Sequence, residues 1–148
     1  MREVTNMELG LVACTKSKKS YSCRASEMYS VSALFRKAYS YAIKRYDLVG
    51  ILSAKYGFLT ADSIIEPYEL TLKNMNQRER LEWAKRVFEQ MQEKLDLEKI
   101  KAVFFHAGKE YREFLISKIE AAGIKCYVPL EGLSFGQQLA WYNRHHAT

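Results

Sequence analysis

Cysteine, proline and glycine are all scarce in this chain, at three, two and seven of 148 residues. Cys14, Cys23 and Cys126 are odd in number, far apart and form no CxxC pair, which argues against a disulfide framework and a structural zinc site. No apolar run approaches the roughly 20 residues of a membrane span. Met1-Arg-Glu-Val-Thr lacks a signal-peptide profile. These absences leave a cytoplasmic protein with no membrane partner as the expectation. Neither a Walker loop nor a GxGxxG fingerprint occurs, so no nucleotide cofactor is indicated. What is abundant is apolar and aromatic surface, 48% and 13% of residues, enough for one ordered domain over 1–148.

The net charge of +6 is unevenly spread. Residues 1–60 carry ten Lys/Arg against four Asp/Glu, whereas residues 61–148 carry thirteen of each. A positive field confined to one third of the chain attracts phosphates, and nucleic acid is the commonest polyphosphate partner. The plainer reading is a lysine-rich face kept for solubility.

Four short apolar runs, Leu9–Ala13, Leu48–Leu52, Ala102–Phe105 and Lys125–Val128, read as parallel strands covered on both faces. Helical spacing joins Met28, Val31, Phe35, Ala38, Tyr39 and Ala42 behind a possible N-cap at Ser26. Asn76-Gln-Arg-Glu79 resembles a capping box opening a second helix. A third covers Glu110–Ala122 and stops at Gly123, and a short last one covers Phe135–Tyr142, with a frayed tail from Asn143. This order predicts a three-layer α/β/α sandwich around a mostly parallel four-stranded sheet.

In such a sheet the loops after the strands meet along one edge. Here they are Cys14-Thr-Lys-Ser-Lys-Lys19, Ser53-Ala-Lys-Tyr-Gly57, His106-Ala-Gly-Lys109 and Pro129-Leu-Glu-Gly-Leu133. Lys16 and Lys18 have no apolar role, and phosphate binding is their best use. They would also lower the pKa of a thiol at Cys14, but no base can be assigned to it, and a small buried hydrophobe is the favoured reading. His106 would contact a substrate carbonyl or a developing anion, or else is a half-buried histidine satisfied by its neighbours. Gly108 permits close backbone approach where a helix N-terminus favours an anion.

The connection Gly57–Asn76 is long, and Asp62, Glu66 and Glu69 bring three carboxylates to it. One could act as general base or offset cationic charge; paired with nearby lysines, they would do neither. Pro67 holds Glu66 extended. Tyr56, Phe58 and Tyr68 suit stacking on an extruded base, or packing beneath the loop. Gln137 and Gln138 offer a donor and an acceptor together, which can read a base edge.

These residues resemble a family of small bacterial and phage domains. That family shares a Cys-Ser-x-x-Lys opening, a Ser-Ala-x-Tyr-Gly-Leu loop, a Glu-Pro-Tyr-x-x-x-Leu segment, a Gly-x-x-Tyr helix start and a Pro-Leu-Glu-Gly-Leu ending. Here they are Cys14…Lys18, Ser53–Gly57, Glu66–Leu72, Gly108–Tyr111 and Pro129–Leu133. The opening is also similar to the archaeosine synthase signature Pro-Cys-x-x-x-Lys-Pro-Tyr-x-x-Ser, with Ala13 in place of its first proline. Related domains are similar to the uracil-DNA-glycosylase-like fold, a small α/β sandwich with its site at the strand C-termini.

The combined reading is a nucleic-acid base-processing enzyme, with N-glycosylase-type excision of a modified base foremost and DNA ranked ahead of RNA. A non-catalytic binding module, and a transferase or lyase using Lys18 as an amine, are the alternatives. Asp62, Glu66, His106 and Lys18 are the catalytic candidates. Cys14, Lys16, Ser17, Ser53, Lys55, Tyr56, Gly57, Tyr68, Gly108, Tyr111, Glu131 and Gln137 are the substrate-binding candidates. No cofactor or metal is expected.

Overall fold

In the computed structural model, which describes residues 5–145, the first apolar run forms β1 (Met7–Ala13), with Leu9–Val12 fully buried. After a loop the chain returns as β2 (Cys23–Arg24) and a single turn, α1 (Ala25–Met28). Helix α2 (Ala33–Arg45) starts afresh at Ser32, whose Oγ accepts the Phe35 N–H at 3.2 Å. The continuous helix expected from Ser26 is therefore broken at Tyr29–Ser32. Serine chemistry explains the break: Ser30 Oγ donates to the Glu27 carbonyl at 2.6 Å while Ser32 caps the next helix.

Next come β3 (Leu48–Ser53), β4 (Gly57–Leu59) and β5 (Ile64–Ile65). A 3-10 turn at Leu72–Asn74 leads to α3 (Gln77–Lys94). The Asn76–Glu79 capping box is present, with bonds of 2.8 and 3.0 Å. The remainder is β6 (Ile100–His106), α4 (Lys109–Ala121), β7 (Lys125–Tyr127) and α5 (Phe135–His145). Helix α5 runs through Asn143 to His145, where the sequence suggested fraying, and Lys37 Nζ donates to Asn143 Oδ1 at 2.6 Å. His146–Thr148 lie outside the described residues.

The main sheet has the order β4-β3-β1-β6-β7, with β3, β1, β6 and β7 parallel and β4 antiparallel on β3. It thus has five strands rather than four. The extra strand, three residues long, exists because Gly57 adopts φ 81°, reversing the chain after Ser53. Gln90 of α3 fills the turn: its Oε1 accepts the Phe58 N–H at 2.7 Å and its Nε2 donates to the Tyr56 carbonyl at 3.1 Å.

Alternation along the strands sends side chains to two covered faces. Leu9, Leu11, Leu52, Val103 and Phe105 pack beneath α3 and α4, against Trp83, Val87, Met91, Leu115 and Ile119. Val12 and Ile51 pack on the other face, beneath Phe35, Ala38 and Ala42 of α2 and Tyr142 of α5. A Cβ on Gly10 would overlap the Tyr46 ring, so glycine there lets that ring lie flat on β1. No helix among the described residues is long and apolar enough to cross a membrane. Because β1 is flanked by β3 and β6, strand order reverses beside it, and the crevice at such a reversal opens at the strand C-termini.

Candidate functional site

That crevice is a cleft of about 1480 Å³ formed by the loop after β1, the Pro67–Asn74 segment, the β6–α4 junction and the Leu130–Leu133 loop. The small sheet of β2 and β5 assembles it. Cys23 pairs with Ile65 and Arg24 with Ile64, and the Ala25 N–H donates to the Ser63 carbonyl at 2.8 Å. This tie draws Tyr68 and Glu69, far along the chain, up to the Cys14–Lys19 loop.

Of the residues named from the sequence, the cleft gathers Cys14, Lys16, Ser17, Lys18, Tyr68, His106, Gly108, Tyr111 and Glu131. It does not include Ser53, Lys55, Tyr56, Gly57, Asp62, Glu66 or Gln137. Asp62 stands 89% exposed, 3.9 Å from Arg24. Glu66 is exposed, and its backbone N–H donates to Tyr56 Oη at 3.1 Å. Glu69 is the member of the carboxylate trio that lines the cleft, and it acts electrostatically on Lys18. Lys55 lies against the Tyr56 ring at 5.3 Å. Gln138, rather than Gln137, faces the cleft.

Ser53 supports the cleft from beneath. It is fully buried, and its Oγ meets Tyr68 Oη at 2.8 Å and accepts the Tyr56 N–H at 3.0 Å. Tyr68 Oη also bonds Tyr29 Oη at 2.7 Å, and the Ser53 carbonyl accepts the Trp83 indole N–H at 3.0 Å. Burial holds both phenols protonated, Tyr29 pushed up to about 12 and Tyr68 well above its ordinary value. Above this network Lys18 Nζ sits 4.5 Å from the centroid of the Tyr68 ring and donates to the Lys16 carbonyl at 3.3 Å. Burial lowers the Lys18 pKa, and Cys14 and Glu69 oppose that shift. Cys14 Sγ donates to Tyr111 Oη at 3.3 Å, and Tyr111 packs edge-on to Trp83.

His106 forms the floor, and its ring is fully occupied. Tyr46 Oη lies 2.7 Å from Nε2 and Tyr142 Oη lies 2.7 Å from Nδ1. Burial lowers the His106 pKa to about 4, so at neutral pH the imidazole is neutral, with one nitrogen donating and the other accepting. It is the internally satisfied histidine of the two sequence readings, and contact with a substrate would require it to give up a tyrosine.

Lysines 16, 18, 19, 73 and 109 and Arg112 line the cleft against Glu69, Glu110 and Glu131. With His106 neutral, this six-to-three balance favours an anionic ligand. Arg112, Lys73 and the exposed ring of Phe135 were not picked out from the sequence. They sit on ordinary helix and turn surfaces, and only the fold carries them to a shared wall. Among the described residues no group of three or more His, Cys, Asp or Glu is placed to hold a metal.

The fold and cleft define a small α/β protein with an open, positively biased crevice at the strand C-termini. The chain belongs to the family of unknown function DUF6884, whose model matches residues 9–144. No curated protein and no solved structure matches it.

Proposed function

We propose that the protein acts on a base within nucleic acid, excising a modified base by N-glycosylase-type hydrolysis. On this reading the fold is a uracil-DNA-glycosylase-like sandwich, and the protein works in the cytoplasm on DNA ahead of RNA. The observation that carries it is the cleft at the β1/β6 reversal, where Lys16, Lys18 and Lys19 share the lining with Glu69 and Lys18 lies over the Tyr68 ring.

Each group then has a task. Lys16 and Lys18 neutralise backbone phosphate. Glu69 orients water or offsets charge at the sugar as the bond between C1′ and the base nitrogen breaks. A water oxygen bonds to C1′, and the base leaves carrying the bonding pair and takes up a proton. The Tyr68 ring already carries Lys18, so stacking on an extruded base falls to Phe135, 61% exposed on the cleft wall. Three unpaired cysteines accord with a reducing compartment.

A second reading is favoured by the partial burial of Lys18, which raises the neutral, nucleophilic fraction of its amine. The amine would attack C1′ and displace the base, and sugar opening would leave an imine that borohydride reduces. Incubating single strands and duplexes carrying modified bases with the protein separates these readings. Abasic sites without a borohydride-trapped adduct are expected. A trapped adduct selects the lysine route, and salt-sensitive binding with no base release leaves a non-catalytic binding module.

A further inference from the structure

Arg112 carries, at Nε, the one buried side-chain polar atom without a hydrogen-bond partner among the described residues. Its side chain is only 15% exposed. Its ion-pair partner among the described residues is Glu131, with Nη2 to Oε2 at 3.8 Å, too long for a hydrogen bond. A guanidinium shielded to this degree recovers its lost hydration only through well-placed oxygens.

Arg112 lines the cleft together with Lys73 and Lys109. Gly108 caps α4 without any side-chain hydrogen bond to the first turn. Glu110, on that turn, is a second carboxylate beside Glu131 in the same lining.

We propose that Arg112, with Lys73 and Lys109, forms a phosphate subsite at the α4 end of the cleft, and that Glu131 occupies Arg112 until a phosphate displaces it. The proposal rests on the nucleic-acid reading for what the phosphate belongs to. It is a second backbone phosphate, additional to the one held by Lys16 and Lys18. The substrate is therefore a polynucleotide with phosphates on both sides of the processed base, rather than a free nucleoside or mononucleotide.

Anisotropy titration of a single-stranded oligonucleotide over a salt series, with inorganic phosphate as competitor, tests this. Arg112→Gln is expected to weaken oligonucleotide binding about ten-fold and to reduce the salt slope by about 0.7. Lys109→Gln, at an exposed position, should move both in the same direction even if Arg112→Gln does not fold. Glu131→Gln should tighten binding, an effect that loss of a structural ion pair would not produce. Wild-type affinity in both cation variants, or no tightening in Glu131→Gln, overturns the subsite. Arg112-dependent binding of inorganic phosphate without oligonucleotide binding leaves the subsite standing and removes the nucleic-acid reading. Oligonucleotide binding indifferent to Arg112 does the reverse.

Discussion

Lys18 and Tyr68 form the central pair of the cleft: the ammonium stands 4.5 Å above a ring whose hydroxyl is anchored to Tyr29 and Ser53. The phenol fixes the ring, and the ring in turn holds a cation at the end of β1. A cation on an aromatic face is worth about 0.5–2 kcal/mol, depending on its desolvation. That is enough to give an otherwise flexible lysine a preferred position.

Tyr68→Phe keeps the ring and deletes the shared hydroxyl, leaving Tyr29 Oη without its 2.7 Å partner. A loss of about 1–3 kcal/mol in urea unfolding is expected, with Lys18-dependent ligand affinity little changed. Tyr68→Leu should lower both stability and affinity. Equal stability of wild type and Tyr68→Phe would show that the network is not structural.

Glu69→Gln should abolish base release, by about 10²–10⁴-fold, while preserving binding. Asp62→Asn and Glu66→Gln should release base at the wild-type rate, because neither carboxylate lines the cleft. Loss of activity in Asp62→Asn with Glu69→Gln unaffected would reverse this assignment.

His106 makes stability depend on pH. Its pKa falls from 6.5 to about 4 in the fold, so between those values the unfolded chain binds more protons. The contribution is fully present above pH 6.5 and is lost as pH falls toward 4, amounting to about 3 kcal/mol. Urea unfolding from pH 7.5 to 4 should show a steeper decline in wild type than in His106→Gln. Parallel declines would mean that the imidazole is not held neutral between Tyr46 and Tyr142.

Gly57→Ala forces a Cβ into a φ of 81° and into the Gln90 carboxamide. A loss of about 1–3 kcal/mol is expected, read as a lowered Tm. An unchanged Tm would show that the β3–β4 turn does not require glycine.

What could be read in advance was local. The runs at Leu9, Leu48 and Ala102 announce buried strands because parallel strands are apolar on both faces, whereas the run at Lys125 forms a strand at the sheet edge, where Lys125 and Tyr127 are exposed rather than covered. The Asn76–Glu79 cap is legible because its partners are three residues apart. Strand β4 escaped notice because three residues carry no period, and the interruption at Tyr29–Ser32 is hidden by apolar spacing that continues across it. Three of the four strand-end loops were legible as the cleft, the Ser53–Gly57 loop lying outside it, but which carboxylate of the long connection reaches the cleft was not. Choosing Glu69 over Asp62 depends on the β2–β5 tie, a contact between distant parts of the chain. The surroundings of His106 are similarly remote: it is buried between Tyr46 and Tyr142, at separations of 60 and 36 residues.

The most direct measurement of where this protein meets its ligand is an amide chemical-shift map taken while a single-stranded oligonucleotide is added. The account predicts the largest shifts at Cys14–Lys19, Tyr68–Leu70 and Gly108–Arg112, fading as salt rises. Shifts centred instead on Lys55 and Arg86, or none at all, would contradict it.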